Sequence, residues 1–517
     1  MKTKLFTFLL IIVFALPSVS SLLQPGFFQS DDGEWMIIRF SAFHQALADG
    51  QFPVRFLGRL NYGYGYPVAN FLYPGFMYLA EPIHLLGFGF TDAIKILLGI
   101  SMVGSALFTF FWLSKLFNTW AAVIGSLFYL YTPYHLFDLY KRGSVGEVLA
   151  LFFVPFILWM IERKNLFFTS VGIFFLILSH NTMALLFLPI LFLYGVLRKK
   201  ISIKSFSFSL LLGILLSSFF AIPAVFELSN TQFARVAVSN PSEYFASLKL
   251  IGGSSLAILL VSCMLFLYAI RVRKKKNVSG RLLFLFAAIG FASVILGSSV
   301  STMVWNSIPS SFIQFPFRFL SLLVLSVSFL AAFCTSLFKR YDRMLVSYVF
   351  FLILSVSAFS FLTPAQFFDK GDAYYATNEA TTNVQDEYMP LWVRQKPTGH
   401  YKQKVELVSG SGEIKNLSFD NRKVSFKIET KDVANVRINT IYYLGWKAYV
   451  DGQEVHVDYS NPKGVMDLQL AKGAKEVQLI FSETLLRLFA DFMSVSAAIV
   501  LSLLAFATKR NSGMAQK

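Results

Sequence analysis

Two cysteines in 517 residues, Cys263 and Cys334, both lie inside apolar segments, which excludes a disulfide framework and a cysteine-based metal centre. Histidine is almost as scarce. His44, His84, His135, His180, His400 and His456 are scattered with no HxH or HxxxH pair, so a zinc site of the clustered-histidine kind lacks its ligands. Charge is thin at 15% of residues, and acidic charge thinner still, with 29 Asp and Glu against 46 Lys and Arg. In place of charge the chain is 55% hydrophobic with a mean hydropathy of +0.59, a composition that belongs in a bilayer. The net charge of +17 would suggest nucleic acid in a soluble protein. Here, however, the Lys and Arg residues fall in short runs between apolar stretches, the pattern of cytoplasmic loops, and no nucleic-acid partner is expected.

A span needs roughly 20 apolar residues. Stretches of that kind occur near 3–22, 93–113, 119–134, 147–161, 166–180, 182–197, 205–226, 249–270, 281–300, 318–337, 343–362 and 485–507. The first also reads as a signal peptide, with a basic start, an apolar run and small residues at Ser18 and Ser20. One further stretch, 67–88, decides the side on which everything after it falls. If it spans, Lys115 and the later basic clusters lie outside. If it lies along the outer surface, Lys2 and Lys4, Lys115, Arg163 with Lys164, Arg198 to Lys204, Arg271 to Lys276, Lys339 to Arg343, and Lys509 with Arg510 all share one side. The positive-inside rule therefore predicts about twelve spans with both termini cytoplasmic. Pro67, Pro74, Glu81, Pro82 and His84 also suit an interfacial segment better than a span.

This arrangement predicts a polytopic α-helical membrane protein carrying a small outer-face β-sandwich. The membrane domain covers 1–362 and includes an outer first loop at 23–92; a β-rich extracytoplasmic domain follows at 363–484, then a final span at 485–507 and a cytoplasmic tail at 508–517. In the β region VSFKIE, VRINTIYY, WKAYV, VHVDY, VMDLQL and VQLIF alternate or run apolar at strand length, with turn signals at Asp451-Gly452 and Asn461-Pro462.

Chemistry concentrates at the outer rim. Asp31, Asp32 and Glu34 follow the first span directly, and His44, Arg55 and Arg59 lead into YGYGYPVANFLYP. Carboxylates at a membrane edge can deprotonate a hydroxyl or hold a divalent cation, and Arg or His can neutralise a phosphate. The plain alternative is a hydrated helix exit with a cap. In YHLFDLYKRGSVGEVLA, Asp138, Lys141, Arg142 and Glu147 meet at the mouth of two spans, where ionisable groups are costly unless paired or functional. An internal Arg142–Glu147 salt bridge is the simpler reading. His180 in LSHNT, and Gln314 with Arg318 in IQFPFRFL, stand at further span entrances, where Arg318 either meets phosphate or snorkels to headgroups. Glu387 opens EYMPLW, a carboxylate beside flat aromatic surface that suits sugar or lipid contact, or a docking seam.

In order along the chain, the acidic exit at Asp31 and Asp32, DGQFPVRFLGRLNYGYGYPVANFLYP, YKRGSVGE, LSHN, IQFPFRF, EYMPLW and YYLGWKAYVDG resemble the bacterial membrane protein family labelled 6-pyruvoyl-tetrahydropterin synthase-related. More distantly they resemble YfhO-like membrane proteins and the GT-C glycosyltransferases. The label does not imply a pterin enzyme, because the histidine set is missing. The GT-C resemblance implies a membrane glycosyltransferase that takes a polyprenyl-phosphate-linked sugar from the outer leaflet and delivers it to an envelope lipid, glycan or protein hydroxyl. It places the essential carboxylate in the first outer loop, which here matches Asp32 as base, with Asp31 or Glu34 assisting or binding a divalent cation. Arg142, Arg55 and Arg318 are the implied phosphate contacts, and His44, Glu147, His180, Gln314 and Glu387 complete the expected substrate-binding set. The rival expectation is a non-catalytic membrane protein in transport or assembly of envelope polysaccharide. A transporter would concentrate polar residues near mid-membrane rather than at one rim.

Overall fold

A computed structural model describes residues 2–236, 240–271, 279–307, 313–383 and 385–514. The basic run Arg271 to Lys276 lies largely outside the described residues, as do the side chains of Lys2, Lys4, Lys509 and Arg510. The helices in chain order are α1 (Lys2–Val19), α2 (Gly33–Ala48), α3 (Gly75–Leu85), α4 (Phe90–Leu113), α5 (Thr119–Tyr131), α6 (Pro133–Phe137), α7 (Val145–Glu162), α8 (Leu166–Ser179), α9 (Asn181–Arg198) and α10 (Ile203–Leu216). They continue with α11 (Ser218–Phe226), α12 (Leu248–Ile251), α13 (Gly253–Arg271), α14 (Ser279–Gly297), α15 (Thr302–Ser307), α16 (Leu320–Ser336), α17 (Arg340–Ala358), α18 (Gly371–Thr377) and α19 (Leu485–Met514).

Each of the twelve apolar stretches is helical, but they differ in reach. Among the described residues eight helices are long and apolar enough to cross a membrane, or nine if α10 and α11, bent by 68°, form one broken span. α5 and α8 have 13 and 14 residues. At 1.5 Å per residue that is about 20 Å, short of the roughly 30 Å hydrocarbon core. The expected span at 249–270 is interrupted at Gly252, whose φ of +83° separates α12 from α13. Side-chain caps start several helices: Asn118 accepts from the Ala121 amide (3.1 Å), Asn165 from Phe168 (3.0 Å) and Ser202 from Ser205 (3.1 Å). Residues 67–88 form a 3-10 turn at Pro67–Asn70 and then α3, only 11 residues long, or about 16 Å.

The β region comprises β1 (Phe27–Phe28), β2 (Phe367–Phe368), β3 (Val405–Ser409), β4 (Gly412–Phe419), β5 (Lys423–Thr430), β6 (Ala434–Ile441), β7 (Trp446–Val450), β8 (Gln453–Val455), β9 (Val465–Leu470) and β10 (Gly473–Phe481). A five-stranded sheet, β4-β5-β10-β7-β8, and a three-stranded sheet, β3-β6-β9, are antiparallel throughout. Alternating inward residues of both, among them Phe426, Ile428, Ile438, Leu468, Val477 and Leu479, close a common core. The Asp451-Gly452 signal turns the β7–β8 hairpin, both residues having positive φ as a two-residue primed turn requires. β3 and β4 have no counterpart among the sequence-predicted strands.

The β region is fastened to the membrane part at many points. β1 pairs with β2 just ahead of Asp31. Asn421 accepts from the Gly58 amide (2.7 Å), Ile441 N–H donates to Tyr64 O (2.8 Å), and Lys404 Nζ donates to Gly63 O (2.9 Å). At the base, Arg487 of α19 is fully buried and donates to both oxygens of Glu227 (2.8 and 2.7 Å), which also accepts from Tyr443 and Asn70. Glu227 is thereby satisfied on both oxygens, while Arg487 Nη1 has no hydrogen-bond partner among the described residues. The loops at 23–74 and 227–232, the sheets and the last helix are therefore joined by these contacts.

Candidate functional site

Local backbone brings the loop after α1 onto the α6–α7 connection. Asp31 and Asp32 N–H groups donate to Lys141 O (2.9 Å) and Arg142 O (2.8 Å), a two-rung clasp. Opposite it, Asp138–Arg142 form one π-helical turn, an irregularity common at functional sites, and Gly143 exits it in the left-handed region with φ +60°. A Cβ on Gly143 would collide with Ser30 Oγ and lie 2.8 Å from Gly33 N, so the clasp needs glycine there. Asp32 stands at the N-cap of α2, yet its side chain makes no capping hydrogen bond and is 40% exposed. The carboxylate stays available, at the positive end of the helix.

Beneath Asp32 lies a dense charged cluster. Arg142 Nη2 donates to Asp32 Oδ2 (3.1 Å), and Arg142 Nη1 lies 3.6 Å from Glu147 Oε1. Glu147, on the first turn of α7, is fully buried and takes Arg318 Nε on Oε1 (2.8 Å) and the Tyr134 hydroxyl on Oε2 (3.0 Å). His180 Nε2 is 3.6 Å from the same Glu147 oxygen, while its Nδ1 accepts from Met183 N (3.4 Å) and so caps α9; that assigns the ring hydrogen to Nε2. Arg318 is held further by Ile313 O (2.8 Å) and Gln314 Oε1 (2.9 Å), with Gln314 itself at φ +64°. A non-glycine residue in that region persists only where its surroundings over-determine it.

The two guanidiniums share an aromatic floor. Phe315 and Phe317 stack at 5.2 Å and 11°, and Arg142 lies over both rings (5.2 and 5.0 Å) with Arg318 over Phe315 (4.8 Å). Cation–π contact of this kind holds a guanidinium flat while leaving its N–H edges for an anion. Arg142 Nη1 is buried, 3.6 Å from Glu147 Oε1, with no hydrogen-bond partner among the described residues. Burial opposes the Arg142 charge, but Glu147, Asp32 and Asp138 outweigh it and the guanidinium stays firmly protonated. Asp138 is fully buried and neither carboxyl oxygen has a hydrogen-bond partner. Burial first, and adjacent Glu147 second, push its carboxyl well above the usual carboxylate range. The formal charges of Arg142, Arg318, Glu147 and Asp32 sum to zero, with both cations against the buried wall and Asp32 at the rim.

The structure thus brings together Asp32, Arg142, Glu147, His180, Gln314 and Arg318. It places the other sequence-predicted residues elsewhere. Asp31 pairs at the surface with Lys141 (2.9 Å), and Glu34 with Lys370 (2.6 Å). Arg55, expected at a phosphate, is instead buried in the seam and committed to Glu483 (3.2 Å), Asp491 (3.1 Å) and Phe219 O. His44 lies 2.8 Å from Glu81 and lines a separate cavity of about 380 Å³ with Ser41, Gln45, Arg59, Phe90 and Glu379. That cavity is twelve residues along α2 from Asp32, about 18 Å. Glu387 is half-buried next to Tyr388, with one carboxyl oxygen unpartnered; burial raises its pKa. Among the described residues no three His, Cys, Asp or Glu side chains converge as a metal site. Asp32, Asp31 and Glu34 face three different cations rather than one another. Asp138 lies in the cluster as its place in YHLFDLYKRGSVGEVLA suggested, while Tyr134, Phe315 and Phe317 are site components beyond the predicted set; the signal was their position between ionisable residues at span mouths.

No family model and no curated protein matches the sequence, so the family resemblance rests on its motifs. Among solved structures the chain is similar to the arabinofuranosyltransferase AftD from Mycobacteria, at 14% identity and a TM-score of 0.46, covering 72% of this chain and 28% of that one. It is also similar to the oligosaccharyltransferase AglB from Archaeoglobus fulgidus in complex with an inhibitory peptide and a dolichol-phosphate, at 12% identity and a TM-score of 0.40, covering 74% of this chain and 57% of that one. The apo form of the Archaeoglobus fulgidus oligosaccharyltransferase matches at 12% identity and a TM-score of 0.42. The chain therefore spans between about a quarter and three-fifths of the length of these structures.

Proposed function

We propose that the protein is a membrane glycosyltransferase that moves a sugar from a polyprenyl-phosphate carrier to an envelope hydroxyl on the outer face. The observation that carries this reading is the pairing of a solvent-accessible carboxylate, Asp32, with two buried guanidiniums, Arg142 directly against it and Arg318 behind on Glu147. In the proposed reaction Asp32 accepts the proton of the acceptor hydroxyl as its oxygen bonds to the anomeric carbon. The bond from that carbon to the phosphate oxygen breaks with its electron pair, and Arg142 and Arg318 stabilise the negative charge left on the phosphate. A single displacement inverts the anomeric centre. Glu147 and His180 act through the arginines, fixing their planes. The proposed topology sets both termini in the cytoplasm and the β region outside, which puts the carrier phosphate at the level of this cluster.

The test is transfer from a purified polyprenyl-phosphate sugar by the protein in detergent, with Arg142→Met and Arg318→Met. Loss of one preorganised donor to a developing anion costs about 10²–10³ in rate. Both variants are expected to fall in that range. Transfer at wild-type rate by both would overturn the assignment, and absence of transfer with intact carrier binding would favour the transport or assembly reading.

A further inference from the structure

The EYMPLW segment divides at its end. Met389 O, Pro390 and Leu391 N–H pair with Asn230–Gln232 of the outer loop and form a docking seam, whereas Trp392 turns onto the β region. There it meets Tyr459 (5.4 Å between ring centroids) and Tyr442 (5.8 Å), and the two tyrosines stack on each other at 4.1 Å and 4°. All three rings are half-buried. The group is built rather than incidental. Trp392 Nε1–H donates to Tyr442 O (2.9 Å), Tyr442 N–H donates to Gly464 O (2.9 Å), and Gly464 has φ +64°, where a Cβ would lie 2.9 Å from Trp392 Cδ1. Neither phenol hydroxyl has a hydrogen-bond partner among the described residues, which leaves both for a ligand or water. Exposed Asp458 and Arg394 flank the rings in the chain, Arg394 donating to Ser460 O (2.5 Å).

We propose that Trp392, Tyr442 and Tyr459 form a saccharide-binding platform that holds a sugar ring of a glycan acceptor. A pyranose offers a C–H face to an aromatic ring and a rim of hydroxyls to surrounding polar groups, and the platform supplies flat rings with two phenols, with Asp458 and Arg394, both bonded to Ser460, adjacent in the chain. A lipid chain has no use for the free hydroxyls and charges. The proposal rests on the glycosyltransferase reading, for which the platform supplies acceptor recognition away from Asp32.

The experiment is calorimetry of the full-length protein in detergent with cellohexaose, maltohexaose and a soluble galactan, on wild type, Trp392→Ala and Tyr459→Ala. Tyr459 is the cleaner probe, because its side chain makes no hydrogen bond that the fold needs. Saturable binding of at least one saccharide, weakened about tenfold or more in both variants with the Tm of Tyr459→Ala unchanged, supports the platform. No saturable binding by wild type, or equal binding by Tyr459→Ala, overturns it. So does a result in which Tyr459→Ala releases the protein from anionic phospholipid vesicles without altering saccharide binding. Transfer assays on the same variants with a short soluble acceptor separate the two claims: Asp32-dependent transfer without saccharide binding removes only the platform, and saccharide binding without Asp32-dependent transfer removes only the enzyme reading.

Discussion

Replacing Glu147 by Gln keeps the side chain's shape and removes the charge on which the cluster turns. Glu147 is fully buried, 2.8 Å from Arg318 and 3.6 Å from both Arg142 and His180. Without it Arg318 loses its carboxylate and Arg142 keeps only Asp32 at the rim, and breaking a buried pair from one side costs about 3–5 kcal/mol. At roughly 2.1 cal/mol/K per residue, a chain of 517 residues unfolding as one unit carries about 1.1 kcal/mol/K, so Tm falls by about 3–5 °C. The same change has the opposite effect on an anion. A phosphate seated on the guanidiniums about 6 Å from position 147 escapes a repulsion on the order of 2–3 kcal/mol at an effective dielectric of about 20, and screening reduces this. Affinity for inorganic phosphate therefore rises about tenfold. Differential scanning fluorimetry and phosphate titration on one preparation read both quantities. A variant with unchanged Tm and unchanged or weaker phosphate binding would refute the reasoning.

Lys404 is buried against Gly63 O and Asn439 O with no carboxylate partner among the described residues, and burial brings its pKa down to about 7. The folded state therefore sheds a proton that the unfolded chain keeps up to about pH 10.4. Stability from this group is lost as pH falls through 7 and gained toward pH 10, so Tm rises over that window in wild type and the rise flattens in Lys404→Met. Gly143→Ala adds left-handed strain of about 1–2 kcal/mol and pushes on Ser30 and Gly33 N. Its transfer rate should fall further than its Tm, and a normal rate would show that the clasp does not position Asp32. Arg55→Gln strands Glu483 and Asp491. It should lower Tm by several degrees while the rate per folded molecule stays within about threefold, and a rate loss equal to that of Arg318→Met would return Arg55 to the phosphate site.

The apolar runs were legible because lipid demands length and continuity, and each of them is helical. Their reach was less so: α5 and α8 are short and Gly252 breaks a run, details set by packing rather than composition. β4 escaped notice because it lacks an alternating apolar face and is exposed along most of its length. In the site, Asp32, Arg142, Glu147, His180 and Arg318 stood out because ionisable residues at span mouths are costly unless they meet, and they do meet. Arg55 looked the same in sequence, but its partners lie 428 and 436 positions away on a segment whose docking no local pattern announces. Phe315 and Phe317 resembled ordinary membrane aromatics until the two guanidiniums were seen above them.

The most direct test of the central claim is the transfer rate of Asp32→Asn from a polyprenyl-phosphate sugar, measured beside Asp31→Asn. Asp31 is tied to Lys141 at the surface, whereas Asp32 is the carboxylate on Arg142. Loss of a general base lowers the rate by about 10²–10⁴, so Asp32→Asn should fall by that factor with phosphate binding retained, while Asp31→Asn stays close to wild type. Full transfer by Asp32→Asn would contradict the account.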